Sequence, residues 1–215
     1  LIVVAYLAFS IPAPQSEGLQ QNGFIGALKE SLGGAWKSIL LIWLVMVLRA
    51  IVGQSFMTFM PVFYVQKGYS VVSAGVIFSL FTVAGTFSGL LCGHLADRWG
   101  YKPLFWASHL IMTPILLLFL RLEGPWVYVG SALAGGAVLA SLPLGVVMAQ
   151  TLAPKGRSMV SSLMMGLAFG LGGIISPLVG RLADIYSIET VLTGLALLPL
   201  LTLVLIRFFP TVRNA

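Results

Sequence analysis

Gly93-His94-Leu95-Ala96-Asp97-Arg98-Trp99-Gly100-Tyr101-Lys102-Pro103 is a short charged stretch set between two long apolar runs, Val72–Leu95 and Leu104–Leu120. Two membrane-length helices joined by so few residues must lie side by side and antiparallel. Asp97, Arg98 and Lys102 then put fixed charge at a membrane surface, where it can hold or release neighbouring helices. Working outward, further apolar runs recur along the chain. They predict spans at Lys37–Tyr64, Val72–Leu95, Leu104–Arg121, Trp126–Gln150, Ser158–Ala183 and Glu189–Phe209. Each is long enough to cross a hydrocarbon core about 30 Å thick. The runs are continuously apolar and do not alternate on a period of two, so they read as helices and not as barrel strands. The fold class is an all-α polytopic membrane protein with six transmembrane helices.

Composition agrees. The chain is 59% apolar and 8% charged, whereas about a quarter of the residues of a soluble domain are charged. The net charge of +6 raises nucleic acid as a partner, but its distribution argues against that. Counting from the amino end, Lys29, Lys37, Arg98, Lys102, Lys155, Arg157, Arg207 and Arg213 fall on one side of the membrane. Lys67, Arg121 and Arg181 fall on the other, and Arg49 lies within a span. Basic residues are retained on the cytoplasmic side, so both ends of the six-helix set are expected there. Cys92 is the single cysteine, which excludes an internal disulfide or a thiolate metal site and reads as a small packing residue.

The spacing Gly-x-x-x-Asp-Arg-x-Gly-x-Lys across Gly93–Lys102 resembles the signature loop of the major facilitator superfamily of secondary transporters, which repeats it in each half of the molecule. Tyr101 departs from that pattern, standing where the first of two basic residues is usual. Two further stretches are similar to the fosmidomycin-resistance branch. One is Met159–Ile188, with Gly166-Leu167-Ala168-Phe169-Gly170-Leu171-Gly172-Gly173 and Leu182-Ala183-Asp184. The other runs from Leu48-Arg49-Ala50 through Ser55-Phe56-Met57-Thr58-Phe59-Met60-Pro61. The resemblance implies half of a twelve-helix fold and export of a drug or other small molecule driven by a proton gradient. It also implies that Asp97 and Arg98 belong to a charge network latching the cytoplasmic gate, with Gly93 allowing close helix contact, Gly100 the turn, and Lys102 completing the motif. An ordinary solvated loop is the plainer alternative.

An internal echo supports the same architecture. Gly93-His94-Leu95-Ala96-Asp97 closes the second span and Gly180-Arg181-Leu182-Ala183-Asp184 closes the fifth, on opposite faces of the membrane. An inverted repeat of three plus three spans places them so. The predicted organisation is the end of a truncated helix at 1–12, a cytoplasmic connector at 13–36 with a short amphipathic helix near Phe24–Leu32, the bundle at 37–209, and a cytoplasmic tail at 210–215. That opening fits the second half of a protein about twice this size, in a bacterial inner membrane. Its expected partners are the amino-terminal half, the bilayer, a small-molecule substrate and protons.

Arg49 is the costliest residue. It lies about 15 Å along a helix rising 1.5 Å per residue from Ile39, near the midplane, where insertion of an arginine costs roughly 2.5–3.5 kcal/mol. No acidic residue lies inside the spans read here. Arg49 therefore meets a substrate anion, a carboxylate from elsewhere, or backbone carbonyls. On the same helix Gln54 shares a face with Thr58, and Ser55 follows; serine and threonine often bond their own preceding turn. His109, one turn before Thr113, can relay protons or hydrogen-bond across helices. His94 reads as interfacial and Gln150 as a surface residue. In the fifth span Gly166 with Gly170, and Gly173 with Pro177, form i,i+4 pairs that leave a groove for another helix, and Gly180 follows. The face packs statically or slides and bends during alternating access, with Pro177 as a kink site.

Enzyme signatures such as His-Glu-x-x-His, Gly-x-Ser-x-Gly or a phosphate-binding glycine loop are absent from the sequence. No catalytic residue, cofactor or metal is expected. The rival reading is a six-helix channel or scaffold acting as a homo-oligomer.

Overall fold

The structure, a computed structural model, describes residues 33–210. The expected truncated helix at 1–12, most of the connector with its amphipathic segment, and the tail beyond 210 lie outside the described residues. Six helical spans follow one another: Gly33–Gln66, Val71–Trp99, Tyr101–Arg121, Trp126–Leu152, Arg157–Tyr186 and Ile188–Arg207. They match the six predicted runs to within a few residues at most ends.

The charged stretch is where the reading needs correction. Gly93, His94, Asp97 and Arg98 belong to a helix that continues to Trp99, and the next helix begins at Tyr101. The whole turn is Gly100, at φ 87°, a conformation open to glycine because it lacks a Cβ. Loss of hydropathy marks where a helix leaves hydrocarbon, but the backbone stays helical while its own carbonyls still find donors. Gly100 N–H closes on Ala96 O at 2.9 Å. The fifth and sixth spans are joined the same way. Ser187, at φ 95°, links them, and its N–H closes on Ala183 O at 3.0 Å. Gly93, Ala96, Asp97 and Gly100 thus recur in register as Gly180, Ala183, Asp184 and Ser187, which gives the three-plus-three repeat a backbone signature.

Two spans are not continuous α-helix. The fourth consists of Trp126–Leu139 and Leu142–Leu152. Pro143, in the first turn of the second piece, has no N–H to give the Leu139 carbonyl, and a helix start is where that missing donor costs least. The fifth consists of Arg157–Ser161, a π-helical turn over Ser162–Leu167, and Ala168–Tyr186. That π-helical turn lies two turns or more before Pro177, which sits within the continuous α-helix Ala168–Tyr186.

Close backbone approaches hold the bundle together. A Cβ on Gly135 would collide with the backbone of Phe81, and one on Gly85 with Leu139 and the Gly135 carbonyl. Ser131 donates to Ile77 O and Ser88 donates to Gly136 O at 2.8 Å, so the second and fourth spans are bonded as well as packed. Gly172 lies against the Ala50 backbone and Gly180 against the Phe59 ring, which seats the fifth span on the first. Lys102 Nζ donates to Arg207 O at 2.9 Å and Phe209 O at 2.7 Å, tying the start of the third span to the end of the sixth.

Candidate functional site

The buried apolar residues form two clusters, one toward each end of the bundle. On the first span the clusters part between Val47 and Val52, on the third between Phe105 and Met112, and on the fourth between Val138 and Leu144. The residues in those gaps include Arg49, His109 and Ser141, all buried. A polar layer therefore crosses the bundle at mid-depth, where no headgroup or bulk water can satisfy it.

Arg49 is only 2% exposed. Its Nε donates to Ser141 Oγ at 2.9 Å and its Nη2 to Val138 O at 2.6 Å. The break before Pro143 explains the second bond. Val138 lies at the end of the first helical piece, where carbonyls lose their i+4 donors, and the guanidinium supplies one. Of the partners open to Arg49 from sequence, the structure uses a backbone carbonyl, and it adds a serine hydroxyl that the sequence reading did not offer. Ser141 was not singled out in the sequence; the Ala140-Ser141-Leu142-Pro143 run, a proline within an apolar span, was the available signal.

The other expected substrate or coupling residues separate. Ser55 is buried like Arg49, whereas Gln54 is part-buried and Thr58 exposed on the more open side of the first span. His109 is fully buried, with Nδ1 2.9 Å from Phe105 O and its ring stacked on Phe105 at a centroid distance of 4.7 Å. The Arg49 charge lies within electrostatic reach of the imidazole. Arg49, Ser141 and His109 thus share one layer, and Gln54 and Thr58 stand apart from it.

At the charged stretch, Asp97 and Arg98 are exposed on the last turn of the second span. The Tyr101 side chain interacts with Asp97 across the Gly100 turn. Gly93 has no side chain or foreign backbone near its Cβ position. Among the described residues, the hydrogen bonds of Lys102 go to carbonyls at the end of the sixth span. Gln150, near the end of the fourth span, is part-buried, and its Nε2 donates to Ser161 Oγ at 2.6 Å, bridging the fourth and fifth spans. Gly166, Gly170 and Gly173 meet nothing within 4 Å and Pro177 is exposed, so among the described residues no helix fills that groove.

The sequence model described as Major Facilitator Superfamily matches residues 1–177. The chain belongs to the major facilitator superfamily. The fosmidomycin resistance protein of Escherichia coli (strain K12) is 32% identical over 154 residues, 71% of this chain and 38% of that protein. The uncharacterized MFS-type transporter YfnC of Bacillus subtilis (strain 168) is 36% identical over 126 residues, 58% of this chain and 30% of that protein. Among solved structures, the major facilitator transporter FucP in the outward conformation superposes with a TM-score of 0.75 at 16% identity, covering 98% of this chain and 52% of that one. A second structure, of the E. coli fucose:proton symporter FucP, gives 0.74 at 17% identity, covering 98% and 53%. The structural likeness establishes the shared fold. The chain spans about half the length of these solved transporters and a smaller share of the relatives matched by sequence. It is an integral membrane protein of a transporter superfamily.

Proposed function

We propose that this chain is the carboxyl-terminal six-helix half of a proton-coupled secondary exporter of a drug or small metabolite, working by alternating access. In this reading residues 1–12 end the preceding helix, 13–36 connect the halves, 37–209 form the bundle and 210–215 the tail, with both ends of the bundle in the cytoplasm of a bacterial inner membrane. The observation that carries it is the chain's 32% identity to a protein named for fosmidomycin resistance, joined to a fold that matches half of larger transporters. The bundle adds support. The second and fifth spans leave Val83, Phe87, Leu90, Ile174, Leu178 and Leu182 exposed, and the open glycine groove of the fifth lies among them, a surface suited to a second half.

Within that reading Arg49 is the substrate or coupling residue nearest the midplane, with Gln54, Ser55, Thr58 and His109 as further candidates. Asp97, Arg98, Gly93, Gly100 and Lys102 form the gate segment, and Gly166, Gly170, Gly173, Pro177 and Gly180 the packing face. The test is transport of candidate compounds by the full-length protein in proteoliposomes. Gradient-dependent movement of a compound out of the cytoplasmic-facing side is the expected result. Equal movement with and without a pH gradient would remove the proton-coupled reading.

A further inference from the structure

We infer that the third span holds a bound water molecule between His109 Nε2 and the Thr113 hydroxyl, at the edge of the polar layer. This goes beyond the transport reading and does not depend on it. The argument starts from the direction of one hydrogen bond. Phe105 O only accepts, so His109 Nδ1, 2.9 Å away, carries the hydrogen. Ser108 Oγ, 3.3 Å from the same nitrogen, directs its own hydrogen to Phe105 O at 2.8 Å and so faces Nδ1 as a second acceptor. The neutral ring is therefore the Nδ1–H tautomer, and Nε2 is a bare lone pair in need of a donor.

Nε2 has no hydrogen-bond partner among the described residues, and neither has Thr113 Oγ1. His109 is 0% exposed and Thr113 4%. Thr82, Thr86 and Thr151 each donate to the carbonyl four residues earlier, and the buried Thr202 donates to Pro199 O three residues earlier; a helical threonine can satisfy itself in this way, and the buried Thr113 does not. Four residues apart, His109 and Thr113 share a helix face. Leaving both atoms unpaired in a dry interior is costly, and buried polar groups of this kind are characteristically met by internal water. One water donates to Nε2 and exchanges a hydrogen bond with Thr113.

The test uses the full-length protein in nanodiscs and the isosteric variant Thr113→Val. With the water in place, the variant strands both it and Nε2, and the melting temperature falls by about 2 °C or more. Without it, the variant deletes an orphaned hydroxyl, and an unchanged or raised melting temperature overturns the inference. A second readout is X-ray radiolysis, in which a bound water generates hydroxyl radicals where bulk solvent cannot reach. Met112, 1% exposed, is then oxidised in the unaltered protein and several-fold less in Thr113→Val. Protection of Met112 in both proteins also overturns it. Neither measurement reads transport, so failure here and failure of the exporter reading are separate results.

Discussion

Arg49 gives one N–H to Ser141 and another to Val138, so a single side chain bridges the first span and the broken fourth. Truncating it leaves an acceptor carbonyl unmet in the bundle interior, a penalty of about 1–3 kcal/mol. Arg49→Ala is expected to abolish or severely weaken transport while membrane insertion persists. Arg49→Lys should recover only part, because an ammonium cannot reproduce the planar fork that meets hydroxyl and carbonyl together. Normal transport by the alanine variant would leave Arg49 a helix clasp and nothing more. At the proposed gate segment, Asp97→Asn keeps shape and removes charge. It should slow turnover more than it weakens substrate binding and raise cysteine labelling of cytoplasm-facing cavity positions; unchanged labelling and turnover would make the segment a solvated helix end. Ser187 is a different case, held at φ 95° where a non-glycine residue costs about 1–3 kcal/mol. Its Oγ caps Thr190 N–H at 3.3 Å, but a serine-to-glycine change at a cap costs only a few tenths of a kcal/mol. The larger effect wins, so Ser187→Gly should raise the melting temperature; a fall would mean that the cap outweighs the strain.

Among elements, the glycines divide by what lies opposite them. Gly135 faces the Phe81 backbone so closely that no added methyl fits. Gly135→Ala must therefore push the second and fourth spans apart, breaking the Ser131 and Ser88 bonds that depend on the approach. Overpacking of this kind costs about 1–3 kcal/mol or more, and a loss of folded, monodisperse protein in detergent is the expected outcome. Gly170 has nothing within 4 Å, so Gly170→Ala should leave folding intact. If the face meets a moving partner half, the same variant lowers transport, and wild-type transport would argue for an open or lipid-facing surface. The sequence shows both glycines as equally small residues in apolar helices. Which of them touches a neighbour depends on helix rotation and crossing distance, and hydropathy does not encode either. The π-helical turn at Ser162–Leu167 was hidden for the same reason: it changes hydrogen-bond register without changing composition.

On the scale of the whole molecule, the placement of acids bears on the proposed proton coupling. Within the described spans Asp97 and Asp184 sit at helix ends, Glu123 in a connection and Glu189 in the first turn of the sixth span. No carboxylate occupies the mid-depth layer among the described residues. A proton-coupled exporter commonly uses a buried carboxylate whose protonation follows the side it faces, so the coupling acid is expected in the other half. His109 is the mid-span alternative. His109→Gln should therefore retain gradient-driven transport. Loss of gradient-driven transport with exchange of bound substrate intact would move coupling into this half. The upstream coding sequence gives an independent check, since six further spans with a matching signature loop after the second are expected there.

The sequence alone determined the class of molecule. Six apolar runs of spanning length follow from the cost of exposing polar groups to hydrocarbon, a cost local to each residue, while the charge asymmetry between their ends and the repeated Gly-x-Leu-Ala-Asp segments are read directly along the chain. It also marked Arg49 and His109, because an ionisable side chain at mid-span is expensive wherever its helix is placed. Only the tertiary structure decided what those residues do with their hydrogen bonds. Ser141 became the partner of Arg49 because the fourth span breaks at the depth where the first presents its guanidinium. Lys102 became the tie to the sixth span because chain ends far apart in sequence meet at one face. Partner choice depends on distances between elements, and those exist only once the helices have packed.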